Sequence, residues 1–376
     1  MSPTHQTGRD LAPGSTSNTR TKPGARRGRG AVSNASGRFE VQVRQPFDDG
    51  WNESADDATQ HLVTTVQIDR SRSVISTNAS PDIPFDRSIN PYRGCEHGCV
   101  YCYARPTHAW LGLSPGLDFE SRLFAKPDAA EQLRRELARP GYVCRAIALG
   151  TNTDPYQPIE RRYEITRRIL EVLNDCNHPV TIVTKSNLVV RDRDILSAMA
   201  ARGLARVAVS ITTLDRSLAR HMEPRAPTPG RRLDAVGQLS AAGIPTGVMV
   251  APVIPALTDH ESESILSAAA DRGAFFAGYV MLRLPLEIAD LFREWLDTHE
   301  PGRAGRVLSG IRALRGGRLN TSAFGRRMRG EGQEADLLAR RFALACGRLG
   351  LSRRHEPLDC TQFERPAADG RQMSLL

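Results

Sequence analysis

Cys95, Cys99 and Cys102 stand within eight positions of one another in the run Asn90-Pro-Tyr-Arg-Gly-Cys-Glu-His-Gly-Cys-Val-Tyr-Cys-Tyr-Ala-Arg105, a Cys-x3-Cys-x2-Cys spacing. Thiolates are soft ligands that select zinc, copper(I) or iron-sulfur clusters. Gly94 and Gly98 relieve the backbone crowding that gathering three of them in one turn creates. Structural zinc takes four protein ligands, often as two Cys-x2-Cys pairs. No second pair exists here, although His97, His108 or Cys144 could complete a set. Three thiolates on a [4Fe-4S] cluster leave one iron without a protein ligand, and a substrate or cosubstrate can bind there. The spacing points to chemistry rather than scaffolding.

The elements that must position this loop follow it in a regular alternation. Short apolar, β-branched runs occur at Arg145–Leu149, Val180–Thr184, Arg206–Ile211, Thr246–Val250 and Phe275–Leu282. Each is continuous rather than alternating, as parallel strands buried on both faces require. Between them lie amphipathic stretches such as Arg162–Asn174, with Ile165, Ile169, Val172 and Leu173 on one stripe, and Arg231–Ala242, closed by Gly243. With a short strand before Cys95 the count is six strand-and-helix units, so the expected fold class is α/β, a six-unit parallel (βα)6 partial TIM barrel. Leu286–His299 and Ala335–Leu349 read as helices of a C-terminal extension, separated by a Gly- and Arg-rich stretch.

Composition bounds the rest. The 376 residues are 40% hydrophobic, enough for a sizeable core. No run reaches the roughly 18 to 20 apolar residues of a membrane span, and the start of the chain lacks the apolar core of a secretory signal, so the expectation is a cytoplasmic protein with no membrane partner. Seven cysteines, three of them clustered, do not make a secreted disulfide framework. Cys144, Cys176, Cys346 and Cys360 read as small buried hydrophobes, with no close pair to suggest a second cluster.

The formal charge is +9, and residues 1–40 alone hold seven basic residues against Asp10 and Glu40. Residues 1–38 lack apolar periodicity and read as a disordered basic tail, with residues 39–83 as a lead-in carrying a loose strand or two around Val41, Val43, Val63 and Val66 and an extended run at Ile75–Ile89. Arg303–Arg329 has eight arginines and no acid. The tail and that stretch could follow a phosphate backbone, so nucleic acid is a candidate partner, and a nucleic-acid-binding module with a structural zinc site is the rival reading. The domains are then residues 84–299 as core and 300–376 as a basic and helical extension.

The cysteine loop, with aromatic Tyr101 before the last cysteine and its place at the head of a (βα)6 order, resembles the signature of radical S-adenosylmethionine enzymes, over about Pro84 to Pro285. Within that superfamily the Tyr-Cys-Tyr-Ala run, the Thr-Asp turn after the second strand and Lys185 resemble the spore photoproduct lyase subfamily. The resemblance implies a [4Fe-4S] cluster on Cys95, Cys99 and Cys102, whose open iron chelates the amino and carboxylate groups of S-adenosylmethionine. An electron from the cluster then breaks the S–C5' bond, and the 5'-deoxyadenosyl radical takes hydrogen from a substrate. It also implies a reductant such as flavodoxin or ferredoxin, and Tyr101 beside the adenine.

Ligands of parallel barrels sit at the C-terminal strand ends. The resemblance therefore directs attention to Thr151, Asn152 and Thr153 for the methionyl amino group, with Asp154 either a ligand or a turn former before Pro155. Lys185, one of three lysines against 48 arginines, would contact the methionyl carboxylate. Ser210 or Thr212 would take the carboxylate or a ribose hydroxyl, and Val250–Pro255 would lie near the adenine edge. Glu223 and Arg225 either reach the pocket or form an ordinary loop ion pair. The subfamily carries a hydrogen-donating cysteine near the end of strand two, whereas Gly150–Thr153 holds none and Cys144 falls at the other end, which puts lyase chemistry in doubt.

Overall fold

The computed structural model describes residues 26, 28–40, 62–353 and 357–367. Ten strands run in chain order: β1 (Thr65–Ile68), β2 (Ile75–Thr77), β3 (Arg87–Ile89), β4 (Tyr92–Arg93), β5 (Arg122–Ala125), β6 (Ile147–Leu149), β7 (Val180–Thr184), β8 (Ala205–Ser210), β9 (Thr246–Val253) and β10 (Phe276–Met281). Seven of them form one sheet in the order β10-β9-β8-β7-β6-β3-β2, and β1-β5-β4 form a second. From β3 to β10 every neighbour in the large sheet is parallel, while β2 closes the edge antiparallel to β3. The result is a mixed α/β fold with a parallel sheet, compatible with a partial barrel.

Parallel neighbours need a crossover, and helices supply each one. Ile165–Asp175 joins β6 to β7, Arg193–Ala200 joins β7 to β8, Pro229–Ala241 precedes β9 and Ser262–Ala270 precedes β10. Ile147, Leu149, Val180, Ile182, Val207 and Val209 are fully buried or nearly so, and Ile165, Ile169, Leu170 and Leu173 close over them from the helical side. The continuous apolar runs are thus strands covered by helices.

The 162–174 stripe is interrupted rather than continuous. Glu164 takes φ +49°, which splits the segment into Glu160–Tyr163 and Ile165–Asp175. The buried Glu160 carboxylate accounts for the break, because it accepts the free N–H groups of Thr166 and Arg167 at the start of the second helix. Arg303–Arg329 is also not merely a spacer, since Pro301–Ala313 is a helix. Pro301 starts it and Ala304, Val307 and Ile311 bury one stripe, while Gly310 lets Pro255 approach to where a Cβ would meet it at 2.7 Å.

The expected disordered tail is corrected over residues 28–38, which are packed. Gly30 and Ala31 donate their N–H groups to Glu120 at 2.9 and 2.8 Å, and Arg29 donates to Glu120 O and Leu62 O. Buried anchors of this kind offset the ordering entropy that composition alone could not. Residues 1–25 of the proposed tail and the strand expected around Val41 and Val43 lie outside the described residues.

Residues 357–367 pack against the segments that precede β6, β7 and β8. Phe363 packs against Tyr142 and His178, and Glu364 N–H donates to Cys176 O at 2.9 Å. His178 is buried, takes a hydrogen bond at Nε2 from the Tyr142 hydroxyl at 2.8 Å and donates from Nδ1 to Pro179 O at 3.1 Å. Burial pulls its pKa down from 6.5 to about 4. Between those values the unfolded chain binds a proton that the folded chain excludes, so stability held above pH 6.5 is lost as pH falls toward 4. Urea unfolding should show a lower midpoint at about pH 5 than at pH 7, and the difference should shrink in His178→Phe.

Candidate cluster and cosubstrate site

Gly94 sits at φ +74° and Gly98 at φ +67° in the cysteine loop. A Cβ at Gly94 would meet Phe119 O at 2.8 Å, and one at Gly98 would meet the Glu120 carboxylate at 2.7 Å. Both glycines are therefore required twice over, by conformation and by space. The loop hangs from Arg105, which is fully buried and donates to Cys99 O, Gly98 O, Pro115 O and Gly116 O at 2.8 to 3.1 Å and to the Glu120 carboxylate. Glu120 in turn takes the Gly30 and Ala31 N–H groups, and a Cβ at Gly30 would fall 1.8 Å from Gly98 O. The packed N-terminal segment thus lies directly on the loop.

Cys95, Cys99 and Cys102 are free thiols, and burial pushes the pKa of each upward. Deprotonating them together needs a positive partner, as a metal centre provides. Among the described residues no group of three or more His, Cys, Asp or Glu side chains converges to hold a single metal ion. Three soft thiolates gathered on one buried loop are the donor chemistry that an iron-sulfur cluster takes, and the zinc alternative finds no support.

The turn after β6 is knitted to this loop. Gln157 accepts from Glu96 N–H at 2.9 Å and donates to Gly94 O at 3.1 Å. Asp154 accepts from Thr184 Oγ1 and Lys185 N–H, each at 2.7 Å, and faces His97 Nδ1 at 3.4 Å. These partners hold its carboxyl below the usual range against the cost of burial. Asp154 is therefore a turn former that also ties β7 to the cysteine loop. Thr153 is buried and spends its hydroxyl on Tyr92 O, Thr151 turns its hydroxyl to Asn90, and Asn152 is exposed with its N–H on Asn90.

A second group forms across the strand ends. The half-buried Lys185 at the end of β7 donates from Nζ to Ala251 O at 3.2 Å, lies 3.8 Å from Glu223 and 5.7 Å from the Tyr101 ring centroid. Burial lowers its pKa, and the sulfurs of Cys99 and Cys102 are near enough to oppose that shift. Glu223 is buried and receives the Tyr101 hydroxyl, the Thr212 hydroxyl at 2.8 Å and the Arg232 guanidinium. Ser210 is buried, with its carbonyl taken by Arg232 at 3.1 Å. The structure thus brings together Tyr101, Lys185, Thr212 and Glu223 beside Cys99 and Cys102. Arg225 does not join Glu223 but binds Glu96 at 3.1 Å on the cysteine loop. Arg232 and Arg105 escaped sequence reasoning, since two among 48 arginines carry no local signal.

The remaining cysteines divide. Cys176 and Cys346 are buried hydrophobes. Cys144 and Cys360, far apart in sequence, are neighbours, and burial together with the adjacent Cys360 thiol pushes Cys144 up to about 12. Among the described residues no helix is long and apolar enough to cross a membrane.

Comparison with known proteins gives the family. The model of the radical SAM superfamily matches residues 89–269. Uncharacterized proteins of Mycobacterium tuberculosis and Mycobacterium bovis are 39% identical over 226 residues, 60% of this chain and 66% of theirs. One of Methanocaldococcus jannaschii is 30% identical over 173 residues, 46% of this chain and 62% of that one. The matches therefore span just under two thirds of these relatives' own lengths. Spore photoproduct lyase complexed with dinucleoside spore photoproduct shares the fold at a TM-score of 0.52 and 17% identity, covering 76% of this chain and 80% of that one. A variant of the lyase with bound AdoMet and dinucleoside spore photoproduct also gives a TM-score of 0.52, at 15% identity over the same shares of the two chains. With the three thiols on one loop at the head of the parallel sheet, residues 89–269 carry a radical SAM domain, and the cofactors of that superfamily are a [4Fe-4S] cluster and S-adenosylmethionine.

Proposed function

We propose that this chain is a cytoplasmic radical enzyme with a (βα)6 partial barrel, and that Cys95, Cys99 and Cys102 hold the cluster and leave one iron for S-adenosylmethionine. The observation that carries the reading is the convergence of Tyr101, Lys185, Thr212 and Glu223 on the side of the loop where the Cys99 and Cys102 sulfurs lie. When bound, the cluster supplies one electron that cleaves S-adenosylmethionine to methionine and a 5'-deoxyadenosyl radical.

The chain's own residues then bind, orient and shield. Lys185 has one carbonyl and one loosely placed carboxylate as partners, which leaves ammonium donors for the methionyl carboxylate. Glu223, held by Arg232, fixes the Tyr101 hydroxyl and so sets the ring that would flank the adenine. Asn152, exposed at the end of β6, is the freest of the three turn residues to meet the methionyl amino group, because Thr151 and Thr153 already serve the turn itself. Ser210 remains a candidate for the ribose. Removing the ammonium in Lys185→Ala should weaken S-adenosylmethionine binding by roughly tenfold or more, as loss of a charge-assisted hydrogen bond at a buried site does. Equilibrium dialysis of the reconstituted protein measures it, and an unchanged affinity would remove Lys185 from the site.

The substrate belongs to a class suggested by two features: the basic balance of the chain, and its fold likeness to a lyase complexed with dinucleoside spore photoproduct. Nucleic acid is the reading we favour, with electrons delivered by a flavodoxin or ferredoxin. Lyase chemistry of the neighbour's kind does not transfer directly, since Gly150–Thr153 offers no thiol and Cys144 precedes β6. The test is anaerobic reconstitution, reduction with dithionite and detection of 5'-deoxyadenosine and methionine. Their formation supports the reading, and a colourless protein that turns over no S-adenosylmethionine defeats it.

A further inference from the structure

Five large aromatics are well exposed among the described residues: Phe39, Tyr103, Trp110, Phe275 and Phe324. Four of them connect to the turn that follows β10, Tyr103 directly and the others through neighbouring side chains. Arg283 in that turn lies over the Tyr103 ring at 4.6 Å, and Tyr103 directly follows Cys102 and donates its hydroxyl to Thr151 O. Glu287 in the same turn pairs with Arg38 at 3.2 Å; Arg38 lies over Phe39, and Phe39 packs against Trp110 with centroids 4.5 Å apart and the rings tilted by 35°. On the other flank Arg327 lies over Phe324 at 4.7 Å and is anchored on Asp82, near enough to Arg283 for their charges to repel.

Arg283 differs from the chain's other well-packed arginines. Arg29, Arg105, Arg232 and Arg315 spend their donors on carbonyls or carboxylates, whereas half-buried Arg283 donates no hydrogen bond and joins no ion pair among the described residues. A planar fork with unused donors, held against an aromatic face beside the cysteine loop, suits a phosphate. The exposed aromatic side chains around it suit stacking on bases, a recognition that tolerates any sequence.

We infer that this rim of arginines and aromatics is a docking surface for single-stranded nucleic acid, with Arg283 receiving a phosphate at the entrance to the cluster site and Trp110 and Phe324 stacking bases on either side. The inference rests on the radical-enzyme reading for the direction in which the strand is led. Within the Arg303–Arg329 stretch it narrows the contact to Phe324, since Arg315 and Arg327 are committed to Leu282 O and Asp82 and Arg326 pairs with Glu331.

The experiment uses the full-length reconstituted protein with fluorescein-labelled oligothymidylate and oligouridylate, followed by anisotropy across a salt series. Wild type should bind, and Trp110→Ala and Phe324→Ala should each weaken affinity roughly tenfold. Arg283→Gln should do the same and lower the salt slope by about one, while Arg306→Gln, exposed on the Pro301–Ala313 helix, should bind as wild type. Trp110 and Phe324 are surface side chains, so these variants should still form 5'-deoxyadenosine from S-adenosylmethionine alone. Absence of binding by wild type, rim variants that bind as wild type, or loss confined to Arg306→Gln each overturns the inference. Rim variants that bind oligonucleotide normally but accept electrons from flavodoxin more slowly assign the rim to the reductant instead. Failure to form 5'-deoxyadenosine in any sample defeats the enzyme reading and leaves the binding result to be judged on its own.

Discussion

Cys99→Ala should form no 5'-deoxyadenosine above background while keeping wild-type secondary structure. The loss should exceed about a hundredfold, since even outer-shell changes at metal sites cost roughly 10- to 100-fold. Cys99 is one of only three thiols in the loop, and no other cysteine is near it to substitute: Cys144 precedes β6, Cys176 follows the Ile165–Asp175 helix, Cys346 lies in the Gln333–Arg348 helix and Cys360 follows it. The fold should survive because the loop is not held by its sulfurs. Arg105, Glu120 and Gln157 hold it through backbone carbonyls and N–H groups, and deleting one small side chain costs about 1 kcal/mol on average. Circular dichroism and iron and sulfide analysis of wild type and variant, purified without oxygen, separate the outcomes. A variant that unfolds, or a wild type containing zinc in place of iron, would return the site to structural zinc, where ligand loss is folding loss.

Arg105→Met should lower unfolding stability by about 3–5 kcal/mol, the cost of removing one partner from a buried ion pair. That is a large part of the roughly 5–15 kcal/mol of a whole domain. The substitution leaves Glu120 charged and buried, and it orphans four carbonyls of the cysteine loop and its neighbours, Gly98, Cys99, Pro115 and Gly116. Adding Glu120→Leu should not restore stability, because Gly30 and Ala31 N–H would then lose their acceptor. Arg105→Lys should fall between, since an ammonium keeps the charge but cannot fork to five acceptors. Urea unfolding of the metal-free chains measures the effect directly, and iron retention after reconstitution reports whether the loop still gathers its thiols. Equal midpoints for wild type and Arg105→Met would show that the pair is not what holds the loop.

The cluster motif was legible because it is local. Three thiols and two glycines must occupy one turn, so their identities and spacing survive in the linear order, and the resemblance to the superfamily follows from them. The strands were legible for a related reason. A strand covered on both faces is apolar at every position, and Val180–Thr184 appears with the bounds expected of it. Helix ends were less so: Glu164 at φ +49° ends one helix and the Glu160 carboxylate starts the next by accepting N–H groups from Thr166 and Arg167, and nothing in the Ile165–Leu173 stripe announces that.

What tertiary structure alone decided is which polar residues meet. Lys185 stood out by rarity, but its neighbours Tyr101 and Glu223 come from segments 84 and 38 positions away, and only the return of successive strands to one sheet edge sets them side by side. Arg105, Arg232 and Arg283 look alike in sequence. One holds the loop, one holds Glu223, and one keeps its donors free over Tyr103, a difference made entirely by which carboxylates and carbonyls the fold places within reach. Residues 28–38 show the same limit from the other side. Their composition argues for disorder, and they are ordered because Glu120, some ninety residues later, offers a buried acceptor for two of their N–H groups. The sequence by itself determined the cysteine loop and the parallel strand order, because both depend on residue type at short range. The long-range pairing of charges, which orients the site and opens its rim, exists only once the chain has folded.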